Sequence, residues 1–204
     1  VLYLKDLLGK SVEEIQQGYS MPMVKAIIQQ RSHKAPEEIE QMEEALTFTA
    51  IIHDQLRRVV SPGMLEANLR GIAEGVAFAH QGRLSYQAIC TVQGQTLHNN
   101  EYHRKLKEGD MLLCDIGAES TMGYAGDITR TYPVSPTFST QQAEIYDLVL
   151  KAEVDSIKAM KPGVYYRDVH LGAAKIVTEG LQQIGLMKGN AEDAVANGAH
   201  ALFF

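Results

Sequence analysis

The chain has 204 residues, enough for one large domain or one domain with a fragment of another, and 45% of them are apolar, an ordinary share for a chain that buries a core. Nineteen Lys and Arg against 25 Asp and Glu leave a net charge of −6 with no basic cluster, which argues against nucleic acid and anionic membrane as partners. No apolar run approaches the roughly 18 residues of a spanning helix, and Cys90 and Cys114, outside any C-x-x-C spacing, supply no disulfide framework, which suits a reducing cytoplasm.

The opening residues, Val1-Leu2-Tyr3-Leu4, carry neither a methionine nor the charged region of a signal peptide, so a cut rather than a native start is expected there. Residues 1–31 hold two short helical patterns. Ser11-Val12-Glu13-Glu14 fits a capping box, and Val24, Ile27 and Ile28 recur at helical spacing. Arg31-Ser32-His33-Lys34-Ala35-Pro36 breaks the pattern and reads as a linker, with His33 solvated. From Pro36, suited to a first helical position, a helix is predicted to about Val60 with Ile39, Met42, Leu46 and Ile51 on its inner face, stopped by Ser61-Pro62-Gly63. A second helix is predicted from about Leu65 to Gln81, with Leu69, Ile72, Ala73 and Val76 inward and Gly82 as its stop. His53 and His80, with no partner at i+4, read as ordinary helix histidines rather than metal ligands.

Residues 84–93 read as a strand, and Gly94-Gln95-Thr96 turns the chain into Leu97-His98-Asn99-Asn100. Taken alone, His98 reads as a surface loop histidine, and His103 as structural. Two β-rich runs follow, Met111 to Ala118 and Tyr124 to Val134, around a short polar segment containing Gly123, the composition of a hairpin with a longer loop. Each run carries one aspartate. A turn centred on Thr121 sets Asp115 and Asp127 face to face, where like charges repel and call for a cation. The alternative is a different register, or an aspartate that ends its strand at the surface. Strand alternation turns Cys114 away from the face of Asp115, as a small core residue.

After the hairpin, Ser139-Thr140-Gln141-Gln142 opens a helix predicted to about Met160, with Ile145, Leu148, Val149, Ala152 and Ile157 on one stripe and Pro162-Gly163 ending it. Another is predicted from roughly Asp168 to Ile184 before Gly185, and a short one between Ala191 and Asn197. His170 and His200 read as packing or capping residues. The chain closes on Ala201-Leu202-Phe203-Phe204, an apolar run that is expected to continue into further chain.

The string Leu113-Cys114-Asp115-Ile116-Gly117-Ala118, followed by Gly123-Tyr124-Ala125-Gly126-Asp127-Ile128-Thr129-Arg130-Thr131-Tyr132-Pro133-Val134, resembles the metal-binding core of the Xaa-Pro aminopeptidases (aminopeptidase P), which belong to the pita-bread metallopeptidases with prolidases and methionyl aminopeptidases. The resemblance runs from about residue 36 to Phe204. It implies an α+β pita-bread fold, two α/β halves closing a curved sheet around the metals, here incomplete at the C-terminus. Residues 1–35 then correspond to the tail of an N-terminal domain and its linker, and 36–204 to an incomplete catalytic domain.

The resemblance further implies that Asp115 and Asp127 are two of five protein ligands to a pair of divalent metals. The other three, a histidine and two glutamates, match nothing present and are expected beyond Phe204. Gly94 through His98 resembles the segment with a catalytic histidine that contacts substrate and stabilises the tetrahedral intermediate, and His98 takes that role by carry-over. The implied activity is removal of an N-terminal residue preceding proline from a peptide substrate. Carboxylate-rich coordination suits manganese, with zinc or cobalt as alternatives. The 204-residue chain itself is expected to be metal-free and inactive. Prolidase, methionyl aminopeptidase and a non-catalytic binding module on the same fold stay open, as does a homo-oligomer.

Overall fold

The structure, a computed structural model, describes Lys5 and residues 7–202, in two units that meet in sequence between Val134 and Ser135. The expectations placed on Val1-Leu2-Tyr3-Leu4 and on Phe203-Phe204 lie outside the described residues. In the first unit, helix α1 (Val12–Gln17) opens on the anticipated capping box. Ser11 Oγ accepts from Glu14 N, and Glu14 returns a carboxylate oxygen to Ser11 N at 2.8 Å. Helix α2 (Met21–Ser32), capped by Ser20, continues through Ser32, so the break in the helical pattern narrows to His33–Ala35.

Helix α3 (Pro36–Val59) begins at Pro36, where the missing N–H costs nothing, and Glu38 reaches back to Ala35 N at 2.7 Å. Its inner face is not the apolar stripe expected from the sequence. Ile39 and Leu46 are 47% and 41% exposed, whereas Ala45, Thr49, Ile52, His53 and Leu56 are buried. The helix presents small and polar side chains because part of what it packs against is hairpin backbone, which offers amides and carbonyls rather than side chains. Helix α4 (Glu66–Ala79) buries Leu69, Ala73 and Ala77, with Ile72 and Val76 packed on the core as the periodicity indicated. Its stop differs in detail. Gln81 takes the left-handed conformation (φ 61°), while Gly82 is needed because a Cβ there would lie 2.4 Å from Glu119 O.

Three antiparallel strands, β1 (Ile89–Thr91), β2 (Met111–Ile116) and β3 (Ile128–Pro133), form a sheet in that order. Leu112, Cys114 and Ile116 point into the core with Ile52, Leu56 and Leu69, while Met111, Leu113 and Asp115 alternate to the opposite face. Cys90 and Cys114 are register partners with sulfurs 3.6 Å apart, fully buried, and the neighbouring thiol and burial push Cys114 well above the usual thiol range. The predicted strand over 84–93 is shorter in the structure. The bridge Leu84↔Ala118 is held by Ser85 N donating to Gly117 O at 2.9 Å, and between it and β1 the backbone leaves the ladder.

The hairpin register is also corrected. Asp115 pairs with Thr129 and Ile116 with Ile128, so Asp127 does not stand opposite Asp115. The loop turns about Met122, not Thr121: Gly123 N bonds to Ser120 O at 2.9 Å, Ser120 N to Tyr124 O at 2.8 Å, and Gly123 holds φ 80°. That is a three-residue hairpin loop closed by a left-handed glycine. The shift relative to the expected pairing is two residues, one full strand period, so Asp127 stays on the side of Asp115 and lies diagonal to it.

His53 is buried, with ring nitrogens at hydrogen-bond distance from the Tyr132 hydroxyl and the Ile128 carbonyl, both 2.8 Å. Burial holds its pKa below the ordinary imidazole value, with Arg130 adding to the shift and the Ile116 and Ile128 carbonyls and Asp115 opposing it. The fold therefore keeps the ring neutral to a lower pH than the unfolded chain, which binds a proton below about pH 6.5. Stability from this group is present above that pH and is lost as pH falls towards the folded-state value. Urea unfolding at pH 7.5, 6.5 and 5.5 should show wild type losing up to about 1.4 kcal/mol per pH unit below pH 6.5 relative to His53→Gln. Parallel profiles for the two proteins would refute this.

In the second unit, α5 (Thr140–Ala159) opens on the Ser139 capping box and α6 (Tyr166–Gln183) packs on it. The contact depends on Gly180, where a Cβ would sit 2.2 Å from Leu148 Cδ1. Of the expected α5 stripe, Ala152 is buried, and Val149 and Ile157 are more than half exposed. Helix α7 (Ala191–Ala196) is tied to α6 by Lys175–Glu192 at 2.6 Å, and a 3₁₀ turn (Ala199–Leu202) follows. His170 and His200 rings meet edge-on at 6.4 Å. Among the described residues no strand follows β3, and no helix is long and apolar enough to cross a membrane.

Candidate metal centre

Asp115 projects from β2 on the face away from the helices, half-exposed, and Asp127 precedes β3 on the same side. Tyr86 brings them together. Its hydroxyl lies 2.6 Å from Asp115 Oδ1 and 2.8 Å from Asp127 Oδ1. A phenol has one proton, so a single donor serves two anionic acceptors. Burial first, and then these two carboxylates, push the Tyr86 phenol far above its usual range and keep it a donor.

Two glycines let the carboxylates approach. A Cβ on Gly117 would lie 1.8 Å from Gly126 O, and one on Gly126 would lie 2.3 Å from Thr49 Oγ1 and 2.8 Å from Ala45 O. The strands cross here almost in backbone contact, which brings Asp127 beside Asp115 although they are not register partners. Three polar bonds to two other segments, α3 and the stretch before β1, fix the crossing. Thr49 Oγ1 accepts from Ala118 N at 2.9 Å, Ser85 Oγ donates to Gly126 O at 2.9 Å, and Tyr124 in the hairpin donates its hydroxyl to Glu38 of α3 at 2.7 Å.

His98 makes no hydrogen bond to the pair. It lies exposed on the loop after β1 with φ 51°. Left-handed backbone is several-fold enriched in His over most residues, and here the neighbouring segment holds it. Asn99 is 5% exposed and donates to Thr91 Oγ1 at 3.1 Å; Thr91 donates to the fully buried Glu66 carboxylate at 2.9 Å. Glu66 also accepts from Val92 N at 2.9 Å and Arg104 N at 3.3 Å, tying both ends of the His98 loop to α4. His103 is exposed beside Glu101.

The donor chemistry of the pair fits a hard divalent cation: two aspartate carboxylates converge, and one shared phenolic proton leaves their repulsion largely uncompensated. Among the described residues no third His, Cys, Asp or Glu completes a cluster with them. Sequence reasoning did not single out Tyr86, Thr49, Glu66 or the contacts of His53. A tyrosine inside a presumed strand and polar residues on amphipathic helices carry no local signal of what they touch, and each is defined by a partner at least 25 residues away.

Residues 40–200 match the family model of metallopeptidase family M24. The Xaa-Pro aminopeptidase of Escherichia coli is 37% identical over 177 residues, which cover 85% of this chain and 40% of that protein. Among solved structures, proline aminopeptidase P II from Yersinia pestis superposes with a TM-score of 0.87 at 31% identity, over 100% of this chain and 49% of its own. Zn-substituted Escherichia coli aminopeptidase P in complex with product gives 0.80 at 37% identity, over 84% and 39%. The chain thus spans about two fifths of the curated relative and shares the α+β pita-bread fold of these enzymes over that part.

Proposed function

The chain belongs to metallopeptidase family M24, and on that premise we propose that the whole protein is a metal-dependent aminopeptidase removing an N-terminal residue that precedes proline. The observation that carries this reading is the convergence of Asp115 and Asp127 on one side of the sheet, within hydrogen-bond reach of a single hydroxyl. Similarity to Xaa-Pro aminopeptidase supports the proline preference and a peptide substrate. Asp115 and Asp127 would contribute hard oxygen ligands to a pair of divalent ions, manganese being our assignment and zinc or cobalt the alternatives. When bound, such ions acidify water and polarise a carbonyl.

The remaining roles belong to side chains of this chain. Tyr86 orients both carboxylates through its shared hydrogen bonds. His98 donates an imidazole N–H to the carbonyl oxygen on which negative charge develops, a role supported by the family pattern and by a loop held from beneath by Asn99, Thr91 and Glu66. The cytoplasm is the location we assign, on two cysteines that supply no disulfide framework.

Full-length protein with added manganese should release the first residue of an Xaa-Pro-Xaa tripeptide and stop on chelation. Cleavage of Xaa-Pro dipeptides alone would make it a prolidase, and cleavage of Met-Ala peptides alone a methionyl aminopeptidase. Metal binding without hydrolysis of any of them would make it a binding module. Each of these results overturns the reading. The 204-residue chain by itself is expected to show no manganese-dependent release, and robust release from it, with contaminating enzyme excluded, would refute that expectation.

A further inference from the structure

We propose that His53 is a positioning residue for the aspartate pair: from α3, its ring holds the peptide carbonyls that directly follow Asp115 and Asp127 and so sets the separation of the two carboxylates. The inference rests on reading that pair as metal ligands. His53 Nε2 lies 2.8 Å from Ile128 O and 3.4 Å from Ile116 O. Carbonyls only accept, so the ring proton sits on Nε2 and is aimed at both strands. Nδ1 is then the acceptor, satisfied by the Tyr132 hydroxyl at 2.8 Å. The ring is 6% exposed, so water is a poor substitute for any of these bonds.

The location gives the contact its consequence. Ile116–Ile128 is the last register pair of the β2–β3 ladder before the glycine crossing, and one residue towards the crossing from Ile128 the chain carries Asp127. One helical turn before His53 on the same face of α3, Thr49 holds Ala118 N from behind. One helix therefore grips the hairpin on both sides of Asp127 and on the crossing side of Asp115. A histidine needed for packing alone could be replaced by an aromatic ring of similar volume. A positioning histidine cannot, because the two carbonyls, which also belong to the β2–β3 ladder, would lose the donor that ties them to α3.

The test compares full-length wild type, His53→Phe, His53→Gln and Tyr132→Phe by titration calorimetry with manganese chloride, amide hydrogen exchange of the metal-free proteins and thermal unfolding. Loss of an outer partner of a metal site typically costs 10–100-fold in affinity. His53→Phe is expected to weaken manganese binding about tenfold or more and to speed exchange at Ala118 and Gly126 by a similar factor, with Thr91 and Leu113 in the β1–β2 ladder unchanged. His53→Gln, whose amide keeps one donor and one acceptor, is expected to recover most of both. Tyr132→Phe, which leaves the Nε2 bonds in place, should lose less than His53→Phe. Wild-type affinity and exchange in His53→Phe, or equal losses in the Phe and Gln variants, would overturn the proposal. If His53→Phe does not fold, the ranking of Gln and Tyr132→Phe against wild type decides, and two variants indistinguishable from wild type sink it. Absence of manganese binding by wild type would instead remove the metal reading of Asp115 and Asp127, and the exchange rates alone would then decide whether His53 holds their backbone.

Discussion

Asp127→Asn is expected to remove manganese binding from the full-length protein while leaving the metal-free fold as stable as wild type or slightly more so. The asparagine keeps an Oδ1 that can accept from the Tyr86 hydroxyl, so the 2.8 Å bond has a successor. What disappears is one anionic charge beside Asp115 and one hard ligand. Affinity should fall by more than the roughly 10–100-fold typical of losing an outer partner, since a direct ligand loses its negative charge and one of its two oxygens. Stability should stay within about 0.5 kcal/mol of wild type, as for substitutions that strand no buried group. Calorimetric titration with manganese, and thermal unfolding near pH 7 with a chelator present, separate the two effects. A clear loss of stability in chelator would mean that Asp127 already has a structural cationic partner, contrary to the uncompensated pair described above.

Gly117→Ala is expected to cost about 3 kcal/mol or more, at the upper end of overpacking substitutions. The new methyl would lie 1.8 Å from Gly126 O and 2.6 Å from Gly126 C, atoms of backbone rather than the end of a flexible side chain. Gly126 has no room to retreat towards α3, where even a Cβ built on it would lie 2.3 Å from Thr49 Oγ1 and 2.8 Å from the Ala45 carbonyl. The hairpin must therefore open at the point that places Asp127. A loss of this size lowers Tm by roughly 6–12 °C in a chain of this length. Gly75→Ala on α4 is the control. Nothing lies within 4 Å of its added Cβ, and relief of unfolded-state entropy should stabilise it by about 0.4–1 kcal/mol. Thermal and urea unfolding of the two variants checks the contrast, and a Gly117→Ala cost below about 1 kcal/mol would show that the crossing is looser than its geometry indicates.

Local chemistry made much of this chain legible before any coordinates. Ser11 with Glu14, and Ser139 with Gln142, are bonded three residues apart in sequence, so their helix starts could be read directly. The glycine and proline punctuation located most of the helix ends for the same reason. The common side of Asp115 and Asp127 was also legible. An error of two residues in register leaves every side chain on its own face, so the wrong turn centre still put both aspartates together.

What lay beyond the sequence depended on partners far along the chain. Gly123 in the left-handed conformation moved the turn centre, and its alternatives differed only in loop geometry. Tyr86 joined the site because the segment after Leu84 leaves the ladder beside Gly117, a departure with no counterpart in the alternation of 84–93. Helix α3 turned Ala45, Thr49 and His53 inward in place of Ile39 and Leu46, against the apolar pattern. A buried helix face matches whatever it touches, and where it touches peptide groups at a glycine crossing, small and hydrogen-bonding residues displace aliphatic ones. Periodicity measures the apolar content of a face, whereas the identity of the opposing surface is decided by tertiary structure alone.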